Sequence, residues 1–114
     1  MKEQFFGIVV YSICEDGCLN GLWTNIGDEK TSDKRGQIWN EIAKKNDDTL
    51  GLAGKYTDTY IGDSNDPHIG TLEIKQPDET NYYELDWLDS DKKIFKGKGF
   101  KFDKQLIVSY WQTA

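Results

Sequence analysis

Between Asn81 and Trp111 (NYYELDWLDSDKKIFKGKGFKFDKQLIVSYW) aromatic and β-branched residues gather in three short runs separated by polar turns, and this stretch most constrains the fold. Tyr83, Leu85 and Trp87 alternate with Tyr82, Glu84 and Asp86, the pattern of a strand with one wet face. Asp89, Ser90 and Asp91 then supply turn-forming side chains. The run from Lys93 to Phe102 contains Gly97-Lys98-Gly99, where missing side chains permit a bend, a bulge or close approach of another group. After the tight turn at Asp103-Lys104, Leu106, Val108 and Tyr110 alternate against Gln105, Ile107 and Ser109. The stretch reads as an antiparallel meander.

The rest of the chain extends that pattern. Phe5 to Ile13 (FFGIVVYSI) and Leu19 to Asn25 read as strands, with a turn at Glu15-Asp16-Gly17 between them. Leu50 to Ile61 is a long strand with Leu52, Gly54, Tyr56 and Asp58 on one face. Gly62 to Pro67 is a turn that also takes in His68, and Ile69 to Gln76 is a strand with Leu72 and Ile74 inward. Gly36 to Lys45 is ambiguous. Ile38, Trp39, Ile42 and Ala43 recur at helical spacing behind a cap at Ser32 or Asp33, which leaves a short helix in 35–45 open. An internal echo, Trp23, Gly36, Leu50 and Tyr56 against Trp87, Gly97, Leu106 and Tyr110, favours a strand over 37–44. The sum is eight strands in 114 residues, expected as one all-β domain over 1–114. Successive antiparallel strands close most simply as an up-and-down barrel, with a flattened sandwich as the alternative.

Charge and cysteine usage narrow the functions. A net charge of −6 argues against nucleic acid as a partner. The lysines from Lys92 to Lys104 read as a solvated outer face that also discourages edge-to-edge pairing. No apolar run is long enough to span a membrane, and MKEQFFGIVV lacks a small-residue cleavage site. The expectation is a cytoplasmic chain with no membrane partner. Cys14 and Cys18 flank the first turn and are expected as reduced thiols, with a disulfide as the alternative. Too few further ligands stand near them for zinc, and no cofactor is expected.

Several short motifs add a resemblance. Cys18-Leu19-Asn20-Gly21-Leu22-Trp23-Thr24-Asn25 resembles the first strand of the avidins and streptavidins, which run G-x-W-x-N there. Leu52-Ala53-Gly54-Lys55-Tyr56 resembles their G-x-Y strand, and Leu85 to Ser90 followed by Ile94 to Gly97 resembles their W-x-x-S and F-x-G. Gly-x-Trp also occurs near the start of lipocalins, and these families together are the calycin barrels. Here Phe5 to Ile13 precedes the G-x-W strand, so an eight-stranded barrel results if it takes the family's last-strand place, as in a circular permutation. The resemblance implies that Asn25 and Tyr56 hydrogen-bond a ligand, that Trp87 and Phe95 wall its pocket, and that Ser90 is a further polar position. Glu29 and Asp58 stand where the family has serine and threonine, which argues against biotin itself.

The function expected is therefore a non-enzymatic barrel that binds a small apolar or aromatic ligand. Trp23, Tyr56, Tyr83, Trp87 and Tyr110 are the inward aromatics, with Asn25 and Asp58 on the same facing set. An inward carboxylate at Asp58 costs several kcal/mol unless it is paired. The alternative is a structural or interaction module whose aromatics fill the core, with homo-oligomers as a further expectation. No nucleophile with a matching base can be assembled around His68, and no glycine loop precedes a helix, so an enzyme is not expected.

Overall fold

The computed structural model describes residues 6–26, 37–61 and 67–113. Eight strands follow in order: β1 (Phe6–Ile13), β2 (Leu19–Asn25), β3 (Trp39–Lys45), β4 (Gly54–Ile61), β5 (Pro67–Lys75), β6 (Tyr82–Asp89), β7 (Lys92–Phe102) and β8 (Gln105–Gln112). Each pairs antiparallel with its neighbour, and β1 pairs with both β2 and β8, so the sheet closes into a barrel. Phe5, Glu29, the Ser32 or Asp33 cap, Gly36 and residues 62–66 of the expected turn lie outside the described residues. Among the described residues no helix is long and apolar enough to cross a membrane.

The ambiguous stretch adopts the strand, over Trp39–Lys45, and the reason is visible in its faces. Glu41 and Ala43 are buried, whereas Ile38 and Ile42 point outward at 63% and 45% exposure. Its two isoleucines mimic a helical stripe, yet neither enters the core. Several boundaries differ from the sequence expectation: β3 spans Trp39–Lys45 rather than 37–44, and β7 begins at Lys92 rather than Lys93. β4 begins at Gly54 rather than Leu50, which is 98% exposed. The intervening loop is held by Lys45 Nζ, 2.8 Å from the carbonyls of both Thr49 and Gly51, and Gly54 takes a φ of 148° beside that lysine. β5 ends at Lys75 rather than Gln76. His68 is in strand β5, not in a turn, because Pro67 occupies the first strand position, where a missing N–H is tolerated.

Alternation divides the interior into two halves. Toward the β1–β2, β3–β4, β5–β6 and β7–β8 turns it is apolar, built from Leu19, Ala43, Leu72, Ile74, Leu85 and Leu106. Each leucine and Ile74 stabilises the fold by about 1.5–3 kcal/mol on full burial. Toward the other end the inward side chains become aromatic and polar. Two inward glycines make room there. A Cβ on Gly21 would lie 2.8 Å from the Tyr11 ring, and one on Gly97 would lie 2.9 Å from the Trp87 ring. Close approach is thus what Gly97 provides; the register shift falls instead at Trp87/Leu88 on β6.

Gly21→Ala is therefore expected to destabilise the barrel by about 1–3 kcal/mol, because Tyr11 cannot be overpacked without leaving its rotamer. Urea denaturation measures this, and an unchanged midpoint would mean that the Tyr11 ring is free to move aside.

Candidate functional site

β1, β3, β4 and β6 each send one polar-tipped side chain into the aromatic half of the barrel: Tyr11, Glu41, Asp58 and Trp87. Glu41 Oε2 accepts a hydrogen bond from Tyr11 Oη at 2.5 Å and another from Trp87 Nε1 at 3.2 Å. The register pairs Glu41 with Tyr60 and Ala43 with Asp58, so the two acids are diagonal neighbours on one inner face. Asp58 is 1% exposed and Glu41 6%. Neither oxygen of Asp58 meets a hydrogen-bond donor, and Trp23 Nε1 is likewise buried without an acceptor.

Two carboxylates in one dry site cannot both remain charged. Burial first, then the negative field of Glu41, push the Asp58 carboxyl up to about 10. Asp58 holds the proton, and the pair carries one negative charge. Burial and the two acids also hold the Tyr11 hydroxyl well above its ordinary value, so it remains a donor.

Rings surround this acidic floor. Trp23 lies 4.8 Å from Trp39 and 6.4 Å from Tyr60, centroid to centroid, and Tyr60 stacks on His68 at 5.4 Å. On the other side Tyr110 meets Trp87 edge-on at 6.0 Å and Phe95 at 5.8 Å. Trp23, Trp39, Tyr60 and Phe95 are half-buried and His68 is exposed, so the rings pass from the floor to the surface. Tyr110 Oη donates between the Thr24 carbonyl at 2.9 Å and Asn25 Oδ1 at 2.7 Å. Its ring end lies where a Cβ on Gly7 would fall.

The structure thus brings Trp23, Asn25, Asp58, Trp87, Phe95 and Tyr110 to one end. Ser90 is exposed at the tip of the β6–β7 turn, where it and Asp91 take φ of 50° and 66°, at the same end but outside the floor. Tyr56 faces inward toward the apolar half, and its hydroxyl donates to the Leu52 carbonyl at 2.8 Å. Burial pushes that hydroxyl up to about 12.

Sequence reasoning missed Tyr11, Glu41, Trp39, Tyr60 and His68. The available signal was Glu41, two residues from both Trp39 and Ala43, an acid in phase with apolar neighbours. At the opposite end Cys14 and Cys18 are free thiols. With Asp16 they bring three potential ligand atoms within 4.8 Å of one another, one short of a closed zinc site.

No family model matches the chain, and no curated protein or solved structure matches it significantly. What the fold defines is a closed eight-stranded antiparallel β-barrel, consistent with calycin-like architecture.

The acid pair sets the pH dependence of stability. In the unfolded chain Asp58 loses its proton near about 3.9, whereas in the barrel it keeps it up to about 10. The folded state binds more protons across that window, so the contribution of Asp58 is fully present below it and is lost as pH rises through it. Asp58→Asn removes this titration. Its stability relative to the natural chain should therefore rise steadily from about pH 5 to about pH 9 in urea denaturation. A difference that stays constant with pH would show that Asp58 does not carry the proton.

Proposed function

We propose that this barrel binds a small aromatic or apolar molecule at the end lined by Trp23, Trp39, Tyr60 and Phe95, without turning it over. One observation carries the reading. A ring of half-buried aromatic side chains surrounds a floor that holds an unpartnered carboxyl, Asp58, and an unpartnered indole N–H, Trp23 Nε1. Ligand sites combine apolar walls with a few convergent polar groups, and the mouth of a β-barrel is a common place for them. The likeness to avidins and lipocalins supports the same role for Asn25, Trp87 and Phe95, with Ser90 on the rim. The hydroxyl of Tyr56 is engaged with Leu52, which favours Asp58 as the polar group that a ligand meets.

A panel of small aromatic metabolites tests the proposal by thermal shift and tryptophan emission. A ligand at one hundred times its Kd stabilises the fold by about 2.7 kcal/mol, or several degrees in Tm. Saturable stabilisation that is lost in Asn25→Ala and Trp23→Ala is the expected result. A flat response across the panel would overturn it.

A second reading, a self-associating module, is favoured by the outer surface. The register sets Leu22, Val10, Ile107 and Phe100 side by side across β2, β1, β8 and β7. Leu22 and Phe100 are each 53% exposed, and Ile8 stands beside them at 43%. Such a stripe suits a second copy of the chain. If it does so, sedimentation velocity will show concentration-dependent dimers that Leu22→Glu abolishes; a monomer at every concentration removes this reading.

A further inference from the structure

The chemistry of the floor is one-sided. Glu41 and Asp58 face into the barrel from β3 and β4, and among the described residues no lysine or arginine forms an ion pair with either. The groups around them are Tyr11 from β1, Trp23 from β2, Tyr60 from β4, Trp87 from β6 and Tyr110 from β8. The histidine of β5, His68, stands farther out against Tyr60. Tyr11 and Trp87 already donate to Glu41, while both oxygens of Asp58 face the interior without a donor at 1% exposure. A carboxyl in that position has acceptor capacity that nothing in the protein uses.

The walls have a matching preference. Trp23 and Trp39 lie one over the other at 4.8 Å with a 34° tilt, so each keeps one indole face clear of the other, and Tyr60 makes an edge contact with Trp23 at 6.4 Å. Ring faces carry negative quadrupole charge and attract ammonium groups, most strongly at tryptophan and where water is excluded. An anion would meet two acids and several negative ring faces. A neutral hydroxyl could donate one hydrogen bond to Asp58 but would leave the negative charge of the pair uncompensated.

We infer that the ligand is a small organic cation, a protonated amine whose ammonium group rests on the Glu41–Asp58 floor and whose body lies among the rings of Trp23, Trp39 and Tyr60. The inference rests on the ligand-binding reading above and gives it a chemical class. An ammonium supplies three donors and a full positive charge, which are the two things the floor lacks.

Three probes of equal size separate the cases on the intact chain: 2-phenylethylamine, 2-phenylethanol and phenylacetate, titrated by calorimetry with tryptophan emission as a second readout. The amine should bind at least about tenfold more tightly than the alcohol, with no measurable binding of phenylacetate. Asp58→Asn is nearly isosteric and removes the acid on which the ammonium rests, and Glu41→Gln removes the one negative charge that the pair carries. In each variant the advantage of amine over alcohol should fall to within about threefold, while the alcohol keeps its affinity. Thermal melting confirms that the variants fold, and if Glu41→Gln does not, Asp58→Asn alone decides. Equal, saturable binding of amine and alcohol overturns the cation inference and leaves the pocket standing. Failure of all three probes overturns both. An amine advantage that survives in Asp58→Asn and Glu41→Gln places the attraction on the acidic surface and overturns the inference as well.

Discussion

The hydrogen bonds that converge on Glu41 Oε2 are the interaction on which the interior depends. They come from opposite sides of the barrel, Tyr11 on β1 and Trp87 on β6, and so tie non-adjacent strands through one carboxylate oxygen. Without them the acid would face several kcal/mol of desolvation with nothing in return. With them it can keep a charge, and its neighbour Asp58 must then keep a proton. The charge state of the barrel interior thus follows from where two donors point.

Sheet closure is what lets those donors reach. A closed barrel leaves no edge, so every inward position faces other inward positions across a narrow lumen. Large rings fit only if something opposite is small. Gly21 beside Tyr11, Gly97 beside Trp87 and Gly7 beside Tyr110 are the small partners, each close enough that a Cβ would collide with the ring. The register shift opposite Trp87/Leu88 leaves Ile94 of β7 as the extra residue, a bulge beside the residue that donates to Glu41. Fold and site are therefore specified by the same few positions.

The strand count, the meander and most of the inward set were legible because alternation is a short-range signal that tertiary packing rarely reverses in a half-wet strand. Trp23, Trp87 and Tyr110 followed directly from it. Glu41 did not, because Ile42 sits on the outer face of β3, with Ile38 exposed just before the strand, while an acid sits on the inner face, an inversion of the usual pattern. Tyr11 was hidden in the continuous apolar run of β1, where alternation has no contrast. His68 was assigned to a turn on the strength of the preceding Gly, Asp, Asn and Pro, and only its ladder with Tyr60 reveals the strand. Residues become a site through pairings between distant strands, such as Tyr11 with Glu41, and local pattern carries no information about those.

Whether the aromatic end is merely a filled core can be argued from its unpaired atoms. A core built for stability pairs its buried donors with its buried acceptors, and exceptions are few. Here a buried indole N–H, Trp23 Nε1, and a buried carboxyl, Asp58, occupy the same end of the barrel, and neither has a hydrogen-bond partner. Stability alone gives little reason to keep them, since a buried polar group without a partner costs free energy that an apolar side chain would not. The apolar half, with Leu19, Leu72, Leu85 and Leu106 fully enclosed, already supplies the hydrophobic driving force. Polar groups left unpaired beside a set of half-buried rings are the observation on which the ligand-binding proposal rests.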